Sequence, residues 1–224
     1  MRVSARSTIK GDVFPVKIAF LTNRIDKASA RYRFMQYVPY FEKEGWDVEV
    51  FKIPGGFFER AAFFKTLGVF DCVFLQRKLL GFFDWRIFRK NAKSVVYDFD
   101  DAVMFRDSKS ENTESFFRML MFKRTVGGSD AVISGNRYLY EYASRHNARV
   151  FAVPTAIDMA RYGEKPPAEV SGAVTLGWIG SGVTLFYLEM MKGALDEVFE
   201  RHPFARLKIV ADKFFDCAKM PVIK

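Results

Sequence analysis

Short runs of apolar residues alternate along most of the chain with longer stretches in which apolar residues recur at helical spacing. The runs are rich in β-branched residues and cover positions 16–22, 47–53, 71–76, 94–97, 130–134 and 149–153. The stretches between them predict helices at 30–44, 57–67, 84–91, 114–126 and 137–145. Strands that are apolar nearly throughout need cover on both faces, so the pattern predicts a doubly wound α/β domain with a parallel sheet.

The periodicity stops at residue 159 and resumes at residue 174. The chain between these positions is rich in glycine and proline, which is typical of a domain boundary. A βαβ unit follows, with strands expected at 174–179 and 206–211 and a helix at 184–201. We therefore predict a Rossmann-like domain at 14–158, a linker at 159–173, and at 174–224 the beginning of a second Rossmann-like domain that normally needs about 100 residues.

Composition limits the class of protein. Half of the 224 residues are hydrophobic and 17% are aromatic, which is enough for a sizeable core. No apolar run approaches the roughly 20 residues that cross a bilayer, and the basic, polar N-terminus lacks an apolar signal segment, so we expect a cytoplasmic protein. Cys72 and Cys217 are predicted to be reduced thiols.

The net charge of +9 is confined to residues 1–165, which hold 28 of the 35 basic and 19 of the 26 acidic residues. Many of these cations alternate with large apolar residues in three segments, 57–65, 79–90 and 116–124. Such segments suit an anionic membrane surface, and they equally suit amphipathic helices packed on a sheet with solvated cations at their edges. No nucleic-acid-binding motif accompanies the charge, so nucleic acid is not expected as a partner.

Five short motifs occur in order along the chain: Ala28-Ser29-Ala30-Arg31-Tyr32-Arg33, Tyr97-Asp98-Phe99-Asp100-Asp101, Ser134-Gly135-Asn136, Pro154-Thr155-Ala156-Ile157-Asp158 and Gly177-Trp178-Ile179-Gly180-Ser181. In this order and over about residues 16–211 the chain resembles the group-1 family of retaining glycosyltransferases with the GT-B fold.

The resemblance implies hexosyl transfer from a nucleoside diphosphate sugar to a glycan or lipid-linked acceptor, as in the synthesis of cell-envelope polysaccharides. In the family the N-terminal domain binds the acceptor, the C-terminal domain binds the donor, and catalysis takes place in the cleft between them without a metal or other cofactor. Separately, the presence of three basic, aromatic segments in one domain predicts a membrane-facing surface and a peripheral position at the inner face of the cell membrane. Because the second domain is only begun, we expect the chain alone to lack a complete catalytic site.

Two groups of charged residues in the first domain are candidates for the acceptor cleft. Arg31 and Arg33 are expected at the start of the first long helix, where guanidinium groups and amides favour an anion, although either could simply pair locally. Asp98, Asp100 and Asp101 end the fourth strand, and three close carboxylates need a positive partner, for which Arg77 is the candidate.

We predict Asp100 and Asp101 as catalytic, and Asp98 and Arg77 as cleft residues. The family often has a polar residue, commonly histidine, at this edge, whereas this chain has acidic residues. The alternative is that one aspartate caps a turn while another pairs with an arginine.

Residues after the later strands complete the predicted sites. Asn136, Thr155 and Asp158 are expected to shape the acceptor cleft, although Asn136 could equally cap a helix. Gly180, Ser181 and Gly182 follow the first strand of the second domain, where small residues let amides approach the donor phosphates. No pattern of cysteine or histidine residues predicts a metal site.

Two other functions are left open. The run Val95-Val96-Tyr97-Asp98-Phe99-Asp100 is superficially similar to the start of haloacid-dehalogenase-type phosphatases, in which Asp98 would be the nucleophile, Asp100 the general acid and Mg²⁺ a cofactor. Against this, Ala102 replaces the usual threonine or valine, and the motif follows three βα units. The second alternative is a noncatalytic acceptor-binding or scaffold domain.

Overall fold

The computed structural model describes residues 15–107, 109–159, 163, 174–214 and 222–223. Its contacts divide the chain into two units, Met1–Arg161 and Tyr162–Lys224. Apart from residues 159 and 163, the predicted linker 159–173 lies outside the described residues, as do Cys217 and most of the chain's last ten residues.

The first unit contains a parallel sheet of six strands: β1 (Lys17–Thr22), β2 (Asp47–Lys52), β3 (Cys72–Gln76), β4 (Val95–Phe99), β5 (Ala131–Ser134) and β6 (Val150–Ala152). Their order in the sheet is β2-β1-β3-β4-β5-β6, and every neighbouring pair is parallel. The doubly wound α/β class and all six predicted strands are therefore confirmed, with β4 extending two residues further than predicted.

Six helices cover this sheet: α1 (Ala28–Arg33), α2 (Val38–Lys43), α3 (Phe57–Lys65), α4 (Phe82–Asn91), α5 (Phe116–Gly128) and α6 (Arg137–Ser144). Short 3-10 turns lie at Met35–Tyr37 and Leu67–Val69.

The prediction of one helix at 30–44 is wrong, because the chain leaves the helical conformation at Phe34 (φ −147°, ψ −36°). Pro39 lies in the first turn of α2, where its missing N–H is harmless, whereas inside a continuous helix its ring would clash with the preceding turn. Arg31 and Arg33 therefore occupy the last turn of a six-residue helix and do not lie at a helix start.

Apolar side chains cover both faces of the sheet. One face packs against α3, α4, α5 and α6, with Phe64, Phe88 and Phe122 fully buried. The other face carries a smaller cluster in which Phe20 stacks on Phe34 with ring centroids 4.8 Å apart. Each fully buried side chain of this size contributes about 1.5–3 kcal/mol to the stability of the folded chain. The packed core therefore holds the strands in place, with their carboxyl ends together at one edge of the sheet.

The second unit contains β7 (Thr175–Ile179), α7 (Leu185–Met190), α8 (Lys192–Arg201), β8 (Arg206–Val210) and β9 (Val222–Ile223). The strands form a parallel sheet in the order β7-β8-β9, over a small core that includes Leu188, Phe199 and Ile209. The predicted helix at 184–201 is divided at Met191 (φ −86°, ψ 0°), two residues before Gly193, a poor helix former. Within the described residues, no helix has the length and apolar character needed to cross a membrane.

Candidate functional site

The carboxyl edge of the six-stranded sheet carries most of the predicted site residues. From β1 the chain passes to β2 on one side, and β3 then lies on the other side of β1. In open α/β sheets, ligands bind beyond the carboxyl ends of the strands at such a reversal of strand order. The residues after β1, β3 and β4 are thus the first place to look for a ligand.

Arg33 and Asp98 form a buried ion pair, with their side chains only 3% and 9% exposed. Arg33 Nε donates to Asp98 Oδ2 at 3.2 Å, and Nη2 donates to Oδ1. The remaining guanidinium nitrogen, Nη1, donates to the Val153 carbonyl at 2.6 Å and contacts Thr155 Oγ1 at 3.4 Å. The pair therefore ties α1 to the ends of β4 and β6.

Burial raises the pKa of the Asp98 carboxyl, and the hydrogen bonds and positive charge of Arg33 oppose that rise. Asp98 would take up a proton readily if the guanidinium were removed. Both groups were predicted to contact a ligand, and in this structure they are occupied with each other. A binding role for either one stays a prediction.

A cavity of about 220 Å³ lies beside this ion pair. Gln76, Arg33 and Asp98 are its polar residues. Gln76 is held in place because Thr22 Oγ1 donates to its Oε1 at 2.8 Å and its Nε2 donates to the Ser29 carbonyl at 2.9 Å. The rest of the wall is mainly apolar, formed by Phe20, Phe34, Tyr37, Phe41, Phe74, Ile133 and Val153. Such a cavity suits an apolar group with few polar atoms.

Arg77 joins the other two aspartates, as the sequence predicted. Its Nε lies 3.5 Å from Asp100 Oδ1, and its Nη2 pairs with Asp101 Oδ2. Arg77 has a left-handed backbone (φ 58°), which is uncommon for a residue with a side chain and costs about 1–2 kcal/mol. Its N–H donates to the Asp98 carbonyl at 2.8 Å, so a hydrogen bond to the end of β4 holds this conformation.

Asp100 has an oxygen that lacks a donor. Its Oδ1 is buried and accepts no hydrogen bond within the described part of the chain. The side chain as a whole is 20% exposed, and that of Asp101 is 63% exposed, so a ligand can reach other parts of both side chains but not this buried oxygen. A buried carboxylate oxygen without a hydrogen-bond donor is costly, and the Arg77 guanidinium, whose Nε lies 3.5 Å from it, offsets part of that cost.

Gly135 allows the turn after β5 to pass directly beside Asp100. A Cβ atom at Gly135 would lie 2.9 Å from Asp100 Cα, a separation that real Cβ atoms essentially never show, and 3.1 Å from its Cβ, which is tighter than most real contacts. Sequence reasoning missed this role, as it missed Gln76. Two signals for these roles were present in the sequence. Gly135 comes directly after a predicted strand, and Gln76 is a polar residue at the end of a predicted buried strand.

The other predicted cleft residues are distributed along the same edge. Asn136 caps α6 by accepting the Leu139 N–H at 2.9 Å, which matches its alternative interpretation. Asp158 is half-buried and lines a groove with Tyr40 of α2 and with Gln36 and Tyr37 of the preceding 3-10 turn. Arg31 is exposed, with its guanidinium 4.8 Å from the centre of the Tyr32 ring.

The three amides of the glycine turn in the second unit all have acceptors within the chain. The Gly180 N–H donates to the Val210 carbonyl at 3.1 Å and the Ser181 N–H to Thr184 Oγ1 at 3.0 Å. The Gly182 N–H donates to the Asp212 carboxylate at 2.5 Å. A donor phosphate would have to displace an anionic side chain that the sequence did not single out, so phosphate binding here stays a prediction.

Groups of three or more potential metal ligands among His, Cys, Asp and Glu are not found within the described residues.

The structure is similar to a protein from Listeria monocytogenes assigned as a UDP-N-acetylglucosamine 2-epimerase, with a TM-score of 0.52 and 13% identity over 94% of this chain and 69% of that one. No protein-family model matches the sequence, and a search of curated proteins finds no match. The likeness shows a fold of the GT-B-like type.

Proposed function

We propose that this chain is a nucleotide-sugar-dependent glycosyltransferase of the retaining type, in which the first unit binds a glycan or lipid-linked acceptor. Two kinds of support converge on nucleotide-sugar chemistry. The sequence motifs resemble a glycosyltransferase family, and the fold is similar to that of a protein assigned to act on UDP-N-acetylglucosamine. A nucleoside diphosphate sugar is the proposed substrate, with no metal or other cofactor.

The observation that carries the proposal is the carboxylate pair at the end of β4. The Asp100 side chain is partly exposed, that of Asp101 is largely exposed, and Arg77 balances their charge from the end of the neighbouring strand. Sugar hydroxyls are hydrogen-bond donors, and accessible carboxylate oxygens accept them. Carboxylates near the anomeric carbon also stabilise the positive charge that develops there as the glycosidic bond breaks.

The proposed reaction exchanges one bond for another at the anomeric carbon. The acceptor hydroxyl forms a bond to this carbon while the bond to the diphosphate oxygen breaks, and the hydroxyl proton leaves with the diphosphate. Asp100 and Asp101 orient the hydroxyl groups, and Arg77 holds the two carboxylates in place through its ion pairs. In the proposal, the second unit contributes donor binding through the turn at 180–182, where phosphate oxygens take the place of the Asp212 carboxylate.

Product analysis tests the proposal. The chain is incubated with a panel of nucleoside diphosphate sugars and candidate acceptors, and proton and phosphorus NMR follow the anomeric configuration and the release of nucleoside diphosphate. Transfer with retained configuration, lost in Asp100→Asn, supports the proposal. An inverted product contradicts it, and epimerisation of the sugar at C2 without transfer would assign the chain to the reaction class of its structural neighbour.

A noncatalytic acceptor-binding domain is the alternative that shares this geometry, since the carboxylates of Asp100 and Asp101 would accept hydrogen bonds from a bound glycan whether or not sugar is transferred. The phosphatase alternative is disfavoured by the structure. A nucleophilic carboxylate must reach its substrate, and Asp98 is buried with both oxygens bound by Arg33. Hydrolysis of a phosphate ester that depends on added Mg²⁺ and on Asp98 would restore that alternative.

A further inference from the structure

Three pairs of adjacent phenylalanines are exposed at the starts of three helices. The pairs are Phe57 and Phe58 on α3, Phe82 and Phe83 on α4, and Phe116 and Phe117 on α5, and we call these six residues the aromatic belt. Four of the rings are largely in solvent, with exposures of 84% for Phe58, 68% for Phe83, 77% for Phe116 and 74% for Phe117. The two rings of each pair contact each other, with centroids 5.5, 5.5 and 5.8 Å apart. Clustered exposed apolar side chains of this kind often mark an interaction site.

The three helix starts lie at the same edge of the sheet. Each helix ends a few residues before the next strand begins: α3 at Lys65 before β3, α4 at Asn91 before β4, and α5 at Gly128 before β5. Because all these strands run in one direction, the opposite ends of the helices lie at the carboxyl edge. In addition, α4 packs against both α3 and α5, so the belt crosses three neighbouring helices on one face of the sheet.

The same helices bury most of their other aromatic residues. Phe64, Phe88 and Phe122 are fully buried, and the rings of Phe64 and Phe88 meet at a centroid distance of 5.2 Å. The interpretation of these segments as helices packed on the sheet therefore holds for the inner residues, whereas the leading pairs face solvent and the membrane interpretation stays a prediction. The buried residues hold the helices firmly, so the belt is presented by a rigid scaffold.

Cations are interspersed with the rings of the belt. Arg86 is exposed one helical turn after Phe82 and Phe83, and Arg118 and Lys123 are exposed on α5. The guanidinium of Arg124 lies 5.7 Å from the centre of the Phe82 ring. The acidic residues close to the belt in the chain are Glu59, Glu111 and Glu114, which are exposed, and Asp84, which is paired with Arg60.

We propose that the aromatic belt docks this protein on an anionic phospholipid bilayer, with the rings entering the headgroup region and Arg86, Arg118 and Lys123 facing lipid phosphates. Charge complementarity favours lipid over a protein partner, because the centre of a protein interface is depleted of charge whereas cations here alternate with the rings. The positive charge excess of the whole chain lies in residues 1–165, which include the belt.

Vesicle cosedimentation of the full chain tests the proposal. We expect binding to phosphatidylcholine vesicles that contain about a third phosphatidylglycerol, and much weaker binding to phosphatidylcholine alone. Raising salt from about 0.1 M to about 1 M should weaken binding without abolishing it, because the rings are insensitive to screening. Phosphate or glycerol phosphate at the same ionic strength should not displace the chain, since a free anion cannot replace the bilayer.

The triple variant Phe58→Ser/Phe83→Ser/Phe117→Ser removes one exposed ring from each pair and should lower the partition coefficient at least about tenfold. The matched control Tyr40→Ser/Val69→Ser/Phe204→Ser changes three comparably exposed apolar residues outside the belt, at 63%, 63% and 52%, and should lower it less than about twofold. Circular dichroism confirms that both variants are folded.

Three outcomes overturn the proposal. In the first, the native chain stays in the supernatant with anionic vesicles. In the second, the triple variant binds the vesicles as tightly as the native chain does. In the third, the native chain does not bind vesicles but self-associates in a concentration-dependent way, and the triple variant abolishes this self-association. The belt shares no residue with the candidate site. Vesicle binding can therefore fail without any consequence for the proposed sugar transfer, and the reverse also holds.

Discussion

Replacing Asp98 with asparagine removes the negative charge from the buried ion pair and leaves Arg33 in place. The guanidinium would keep its bonds to the Val153 carbonyl and Thr155 but would lose its only ionic partner, because Asp98 is the one salt-bridge partner of Arg33 in the described structure. Breaking a buried pair on one side costs about 3–5 kcal/mol, because it leaves an uncompensated charge in the interior. We expect this loss for Asp98→Asn, which would lower the melting temperature of the first unit by roughly 6–20 °C.

The reverse substitution, Arg33→Met, has a different dependence on pH. Without the Arg33 guanidinium, burial and the negative charge of Asp100 raise the folded-state pKa of Asp98 above the ordinary value of 3.8, opposed by the charge of Arg77. The folded chain then binds this proton more tightly than the unfolded chain. That contribution to stability is complete below pH 3.8 and is lost as pH rises through the folded-state pKa, at up to about 1.4 kcal/mol per pH unit.

Hydrogen exchange with mass spectrometry measures these changes in the first unit alone, through peptides from β1, β3 and β4. Lys93→Met is the matched control, because the Lys93–Asp71 pair is about half exposed (55% and 48%) and should contribute less than about 1 kcal/mol. If Asp98→Asn costs no more than this control, the buried pair does not hold the edge together and our reasoning about it is wrong. In that case Arg33 would be available to bind an anionic ligand.

Three further predictions follow from close contacts and backbone geometry. Gly135→Ala should destabilise the first unit by about 1–3 kcal/mol in urea unfolding, because its Cβ would press on the backbone of Asp100. Arg77→Gly should be about 1 kcal/mol more stable to unfolding than Arg77→Ala, because glycine adopts the left-handed backbone conformation without the steric cost of a Cβ atom. The opposite order of stability would contradict the idea that the backbone is strained at this position. Gly128→Ala should destabilise by a similar 1–3 kcal/mol or so and perturb Trp85 fluorescence, because the new Cβ would lie 2.5 Å from the indole ring; unchanged emission would count against that contact.

The sheet could be predicted because strands buried on both faces are apolar along most of their length. The break after α1 was also available in the sequence, since Pro39 cannot continue a helix, and the prediction overlooked it. The division of the helix at 184–201 had only Gly193 as a signal.

The site was predictable at the level of strand ends. Residues that follow neighbouring parallel strands meet at one edge, which is how Arg77 was expected beside the aspartates. The different environments of Asp98 and Asp100 were not predictable from a spacing of two residues. They depend on Arg33, which is 65 positions from Asp98 along the chain, and on the close approach of Gly135 to Asp100.

The exposure of the phenylalanine pairs could not be predicted from the sequence, because each pair lies in a segment that also contains core residues. Phe57 and Phe58 belong to the same apolar segment as Phe63 and Phe64. Which of these aromatic residues reach the core depends on how the helix packs against the sheet, which the sequence pattern does not give. A pattern of apolar and basic residues therefore indicated both a core face and a membrane surface. The structure assigns different residues to the core and to solvent.

Isothermal titration calorimetry with a panel of nucleoside diphosphate sugars tests the central claim most directly. We predict that at least one of them binds the native chain and that the matching nucleoside monophosphate binds more weakly. Asp100→Asn should weaken binding of the sugar nucleotide, whereas Lys93→Met should leave it unchanged. Absence of binding by every sugar nucleotide, with circular dichroism showing an intact fold, would contradict the account and favour a noncatalytic acceptor-binding domain.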